Sequence, residues 1–403
     1  MPGPLEGVRI VDLTTMISGP FATMILADQG AEVIKVEHPR GGDHSRQVAG
    51  RRGGFAAAFL NNNRNKRSVT LDLKDPRGRE AVLRLCETAD VFVQNFRPGV
   101  AERLGLGEEQ VRSARADIVY ASIAGFGFAG DWARRPVYDP LIQALSGLAS
   151  VQGGADRARP RLIRTILPDK VTAIQASQAI TAALFARART GRGTALHLSM
   201  LDTVVHFLWS SDMTGYTFVG DERDAEGDAA QSFVELIYET ADGWMAVSAH
   251  TDSTWQGLSR AVGRPDWLQD SRFATVEARE INKPARLELT QSALIEDTTE
   301  SWMARLTAED VPCAPVLTRA AMIKHPQVAA NGTLVETDHP DAGRIRQARN
   351  PARFSATPLA PPRPAARLGA DTAAVLVEAG FSETQIAEML AAGVATGPQE
   401  GAA

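Results

Sequence analysis

Residues 8–37 read VRIVDLTTMISGPFATMILADQGAEVIKVE, and this stretch decides the fold. Val8 to Leu13 is an apolar run with the length of a buried strand. Gly19-Pro20 follows, and proline suits the first turn of a helix, where a missing N–H costs nothing. Phe21 to Gln29 reads as that helix, stopped by Gly30, and Ala31 to Glu37 reads as a second strand. Two such strands joined by a helix imply a parallel βαβ unit.

Working outward, the alternation continues. Ser68 to Leu73, Asp90 to Val93 and Asp117 to Ile123 are strand-like, and Asp75-Pro76 opens a helix running to about Ala89. Further helix starts fall near Asp139 and Asp169, whose short side chains suit free backbone N–H groups. The Ala-rich segment from Lys170 to Arg189 is closed by Gly191 and Gly193. This predicts an α/β fold, a doubly wound domain over roughly the first 200 residues. Gly220 to Asp228 is almost wholly polar and reads as a linker or exposed loop. Phe233 to Glu239 and Trp244 to Ala249, joined by Ala241-Asp242-Gly243, read as a hairpin. Helical patterns at Ser253–Val262, 281–295 and Thr299–Leu306 complete a smaller α+β domain ending near Val316. Pro358 to Pro364 is an extended crossing, and two short helices follow, the second opening on the capping box Ser382-Glu383-Thr384-Gln385.

Composition bounds the function. At about 150 residues per domain, 403 residues make two or three domains. Lys and Arg number 43 against 48 Asp and Glu, a net charge of −5, which does not suit a nucleic-acid binder but permits a local cationic groove. Cys86 and Cys313 cannot build a disulfide framework, and the opening residues lack a cationic region before their apolar stretch. A cytoplasmic enzyme with no membrane span is the expectation.

The turn at Gly19 lacks the three glycines of a dinucleotide fingerprint, although Glu37 sits where such proteins place an acid. Two basic clusters, 61–67 (NNNRNKR) and 95–99 (NFRPG) with Arg103, lie beside strand ends, where α/β sheets form their ligand crevice. Arg97 and Arg103 offer forked donors to phosphate, and Phe96 a flat apolar face. Asp169 reads first as a helix N-cap. The positive end of that helix, with Lys170 beside it, favours the ionised carboxylate, and a carboxylate can attack an activated acyl group. No histidine has metal-ligand spacing. His206 reads as packing within a helix and Cys86 as core. Neither a G-x-S-x-G elbow nor a P-loop is present.

Together these stretches resemble the class III CoA-transferase family, which includes formyl-CoA transferase, carnitine CoA-transferase and α-methylacyl-CoA racemase. The resemblance runs through residues 5–13, Ser18-Gly19-Pro20, residues 30–37, Gly42-Asp43, Asn65 to Ser68, Leu71 to Lys74, Asn95 to Gly99, Tyr138-Asp139-Pro140, Thr190 to Gly193, Val311 to Val316 and Leu368-Gly369. It implies a Rossmann-like large domain built from residues 1–219 and a return segment, 326–403, with a small domain over 220–325. It further implies an interlocked homodimer. CoA and acyl-CoA are then substrates, a carboxylic acid is the second partner, and no permanent cofactor or metal is expected. Asp169 matches the family's nucleophile. Asn95, Phe96, Arg103, Leu71, Lys74, Tyr138 and Met200 match CoA-contacting positions, and Arg97 adds a cation beside them. His38 stands where some members carry an adenine-contacting arginine. Ile17 replaces a glutamine and Pro136 a lysine of formyl-CoA transferase, and the glycine-rich loop of that enzyme is missing around Ser248 to Thr251, which argues against formyl-CoA and oxalate as substrates.

The implied chemistry is CoA transfer between carboxylic acids through an aspartyl anhydride and an enzyme-bound aspartyl-CoA thioester. A racemase on the same fold would carry a histidine where this chain has Tyr138. A non-catalytic CoA-binding protein would leave Asp169 inert.

Overall fold

Apolar, β-branched runs alternating with helices produce a six-stranded sheet in the computed structural model, which describes residues 2–48, 50–154, 158–220 and 236–398. The strands are β1 (Arg9–Asp12), β2 (Glu32–Glu37), β3 (Lys66–Thr70), β4 (Val91–Gln94), β5 (Val119–Ala124) and β6 (Ala195–Ser199). Every pairing is parallel, and the spatial order is β3-β2-β1-β4-β5-β6. The order reverses between β1 and β4, so the crevice of this doubly wound sheet opens beyond their carboxyl ends.

The period-two geometry of the strands splits their side chains between two apolar layers. Val11, Ile34, Val69 and Phe92 face α2 (Pro76–Thr88) and the C-terminal helices α9 (Thr372–Glu378) and α10 (Glu383–Ala391). Ile10, Val33, Val93, Val119 and Ala121 face α1 (Ser18–Asp28) and α4 (Leu167–Thr190). Cys86 lies within the first layer, where burial pushes its thiol pKa well above the usual range. Burial on both faces explains why the strands carry continuous apolar runs.

The described residues fall into two compact units, Met1–Ala230 with Thr333–Ala403, and Gln231–Gly332. The second has a three-stranded antiparallel sheet, β7 (Ile237–Glu239), β8 (Trp244–Val247) and β9 (Cys313–Pro315), with β8 central. The Asp-Gly turn joins β7 and β8 as read from the sequence. Helices α6 (Asp252–Ala261), α7 (Lys283–Leu294) and α8 (Thr299–Ala308) bury Trp255, Trp267, Phe273 and Trp302 with this sheet. Apart from Gly220, the polar stretch 220–228 lies outside the described residues, as does the Phe233 start of the first strand of the hairpin.

Local signals match where their chemistry is local. Asp75 caps α2, Ser382 and Gln385 form the capping box of α10, and Gly30 follows the end of α1 with φ +106°. They fail where distant groups compete. Helix α4 begins at Leu167, so Asp169 is its third residue and not its N-cap. His206 is exposed on α5 (Met200–Trp209), beside exposed Trp209, and does not pack in the core. The basic cluster 61–67 is not a free cationic surface. Arg64 pairs with Asp28 at 2.6 Å, Lys66 with Asp12 at 3.1 Å, and Arg67 with Glu378 at 2.8 Å.

The start of α1 is sterically tight. A Cβ built at Gly19 would lie 2.3 Å from the Cβ of Thr14, far inside contact distance. Gly19→Ala should therefore destabilise the protein by about 1–3 kcal/mol, the usual cost of overpacking. Thermal denaturation beside the wild type checks this, and an unchanged midpoint would refute the clash.

Candidate active site

The site grows from the turn between β1 and α1. Asp12, at the end of β1, accepts from the Thr14 N–H and hydroxyl at 2.8 and 2.5 Å and from the Thr23 hydroxyl at 2.7 Å. Lys66 bridges Asp12 to the Pro20 carbonyl (2.8 Å) and the Asn63 amide oxygen (2.9 Å). Lys35, equally buried, donates to the Thr14 carbonyl at 2.7 Å and pairs with Asp43 at 2.9 Å. Asp43 in turn accepts from the Met16 N–H at 3.1 Å. Burial alone would push the Asp12 carboxyl up, but Lys66, Lys35 and the two threonine hydroxyls outweigh it and hold the pKa at about 2. Burial also brings the Lys66 ammonium down to about 8 against the pull of Asp12.

These buried charges fix an unusual backbone. Met16 takes the left-handed conformation (φ +70°), which a side-chain-bearing residue adopts only when its surroundings over-determine it. Asn95, just past β4, completes the clamp. Its amide accepts from the Thr15 N–H at 2.9 Å and donates to the Thr15 carbonyl at 2.8 Å. The clamp therefore spans the point where strand order reverses.

Asp169 meets this turn from α4. Its carboxyl is half-buried and faces the Ser18 hydroxyl and backbone N–H. Behind it stands Asp139, first residue of α3 (Asp139–Leu145) and almost fully buried. Asp139 does not cap its own helix. One of its oxygens accepts the Asp169 N–H at 3.2 Å, a free donor of the first turn of α4, and the other accepts from Gln143 at 2.7 Å. Gln143 also accepts the Ile163 N–H at 2.9 Å and donates to the Thr165 carbonyl at 3.2 Å, which holds the approach to α4.

The electrostatic outcome differs from the sequence expectation. From the sequence, the helix end and Lys170 favour ionised Asp169. Instead, burial and then the neighbouring Asp139 carboxylate raise its pKa to about 6, against the Ser18 donors. Lys170 turns away and donates to the Thr165 hydroxyl at 2.7 Å. A carboxylate of this kind is still ionised at neutral pH and is a better nucleophile than an ordinary aspartate.

The other residues singled out by the sequence are distributed around the strand ends. Asn95 and Phe96 are half-buried, Phe96 packing on the core, while Arg97 and Arg103 are exposed. Lys74 and His38 are exposed after β3 and β2. Leu71 and Met200 have buried side chains that belong to apolar clusters. Tyr138 is 72% exposed. A hollow of about 580 Å³ beyond β4, β5 and β6 carries Glu102, Glu108 and Asp131 against Arg134 and does not include Asp169. Sequence reasoning assigned no role to Ser18, Asp43 or Gln143. The available signals were the i, i+4 spacing of Asp139 and Gln143 and the Gly42-Asp43 pair. No cluster of metal-binding side chains occurs among the described residues, and no described helix is long and apolar enough to cross a membrane.

Residues 5–372 match the family described as CoA-transferase family III. The human succinyl-CoA:glutarate CoA-transferase is 33% identical over 396 residues, covering 97% of this chain and 90% of that protein. The succinyl-CoA–D-citramalate CoA-transferase of Chloroflexus aurantiacus is 31% identical over 360 residues, covering 89% of each. A crystal structure of a CAIB/BAIF family protein from Brucella suis superposes with a TM-score of 0.80 at 31% identity, covering 94% of this chain and all of that one. The chain belongs to CoA-transferase family III and is a CoA-transferase, acting between an acyl-CoA and an acid.

Because Asp139 raises the pKa of Asp169, removing its charge should lower it. Asp139→Asn is expected to move the Asp169 titration from about 6 toward the ordinary aspartate range. Carboxyl carbon NMR on selectively labelled protein reads this directly, and an unmoved midpoint would sink the assignment.

Proposed function

We propose that Asp169 is the covalent nucleophile of CoA transfer, and the observation that carries this is its half-buried carboxyl, raised to about 6 yet faced by the Ser18 donors. A carboxylate oxygen attacks the donor thioester carbon, and CoA leaves as thiolate, giving a mixed anhydride. The thiolate attacks the Asp169 carbonyl carbon, the donor acid leaves as carboxylate, and an aspartyl-CoA thioester remains. The acceptor carboxylate attacks that carbonyl and expels thiolate again. The thiolate then attacks the acceptor's acyl carbon and frees Asp169. No proton is consumed and no water enters. The Ser18 N–H and hydroxyl suit the oxyanion that forms at the Asp169 carbonyl during these attacks.

Exposed Arg97, Arg103, Lys74 and His38, around the strand ends, are the groups we assign to the nucleotide end of CoA, with Asn95, Phe96, Leu71, Tyr138 and Met200 along the arm. Leu71 and Met200, whose side chains are buried, would act chiefly through shape and backbone. The named substrates of the two relatives support succinyl-CoA as donor and a dicarboxylic or hydroxy acid as acceptor. Leu141 and Leu145 on α3, Ile174 and Phe185 on α4 and Phe207 and Trp209 on α5 are exposed apolar side chains, which supports a homodimer. Tyr138 offers no second base for racemisation.

Asp169→Asn should retain CoA binding and lose at least 10³-fold in exchange rate, in line with other nucleophile removals. Incubation with succinyl-CoA and then hydroxylamine should leave a hydroxamate at Asp169 in the wild type only. Full exchange by the variant, checked for deamidation, would overturn the mechanism. The same change should also stabilise the fold at neutral pH. A carboxyl whose folded pKa lies above its unfolded value costs nothing below the ordinary aspartate range, and the cost is complete above about 6. Discounted for solvent screening, the gain is about 1–2 kcal/mol. It should vanish near pH 3, and thermal melts at both pH values read it.

A further inference from the structure

Lys66 joins the two ends of the turn that carries Ser18. At the entry, Asp12 holds Thr14 through its N–H and hydroxyl. At the exit, the Pro20 carbonyl, in the first turn of α1, accepts from Lys66 Nζ at 2.8 Å. The same ammonium donates to Asp12 at 3.1 Å and to the Asn63 amide oxygen at 2.9 Å, at the end of the short helix Ala57–Asn63. Ser18 lies between the two anchored ends and donates toward Asp169.

This is an expensive position for a purely structural tie. The ammonium is almost fully buried, and it stands at the positive end of a helix, where a cation is the wrong charge. The charged groups that act on it come from each neighbouring element: Asp12 on β1, Lys35 on β2 and Asp43 on the loop after β2. Burial and Lys35 oppose the ammonium, the two acids favour it, and the balance sets its pKa at about 8. The other members of the set are held away from neutrality, Asp12 and Asp43 low and Lys35 high. Lys66 is therefore the member whose charge changes just above neutral pH. When its proton leaves, the charge-assisted bonds to Asp12, Pro20 and Asn63 weaken together. Asp43 on Met16 and Asn95 on Thr15 still hold the middle of the turn, so the loss falls on its exit, beside Ser18.

We propose that Lys66 is a positioning residue for CoA transfer: its ammonium holds the Ser18 donors against Asp169, and loss of its proton switches exchange off in alkaline solution. This rests on the roles given above to Asp169 and Ser18.

The test is the pH profile of exchange between succinyl-CoA and glutarate by the full-length protein, corrected for spontaneous thioester hydrolysis. In the wild type kcat should fall above about pH 8 while KM for succinyl-CoA changes little. Asn63→Asp sets a carboxylate against the ammonium and should carry the alkaline midpoint upward by about one pH unit or more. Lys66→Met should lower kcat at pH 7 by about tenfold or more, because the oxyanion donors are misplaced, and should remove the alkaline fall. Lys66→Arg, charged throughout this range, should also remove the fall and serves if Met fails to fold. Hydroxylamine trapping separates the two levels of the argument. No hydroxamate at Asp169 in the wild type would overturn the nucleophile assignment and this role with it. A hydroxamate there, with a flat alkaline profile or a midpoint that Asn63→Asp leaves unmoved, would overturn the role of Lys66 alone.

Discussion

The structure turns on a buried ion set carried by three adjacent strands and the loop after β2. Asp12 ends β1, Lys35 lies in β2 and Lys66 opens β3, and Asp43 returns to meet Lys35. Each charge has an opposite partner and further hydrogen bonds, the condition under which buried ions are tolerated. Four of their further bonds go to the backbone of one turn, at Thr14, Met16 and Pro20. Removing any one member would strand another charge in a dry interior. The turn therefore has little freedom, and its strained Met16 conformation is held.

That rigidity matters because the turn presents Ser18 to Asp169. Two influences meet on this carboxyl. Burial and Asp139 oppose ionisation, and Ser18 favours it. Asp139 has a second effect, since it also binds the Asp169 N–H and fixes the start of α4 through Gln143. One side chain thus positions the candidate nucleophile and makes it more basic. Separate elements converge here, from β1–α1, β4, α3 and α4, at the one place where the sheet reverses its winding.

Much of the fold is legible in local chemistry. Strand runs, the Gly-Pro helix start, the Asp-Gly hairpin and the Ser382 capping box depend on residues within a few positions of each other. Motif order also brings forward Asp169 and the Asn95 loop as candidates. Misreadings arise where a local signal has a distant competitor. The cluster 61–67 reads as a basic cluster at the ligand crevice, yet its cations are taken by Asp28, Asp12 and Glu378, the last more than 300 positions away. Asp169 and Asp139 each look like caps of their own helices, but Asp139 serves the other helix.

What the sequence by itself determined was the periodicity and the turn chemistry, because these follow from backbone sterics and side-chain type. Only the tertiary structure decided the protonation behaviour of Asp169 and the neutralisation of the basic cluster. Each of those depends on burial and on which charge comes to lie beside which. Such proximity is set by the packing of elements distant in the chain, and no local pattern encodes it.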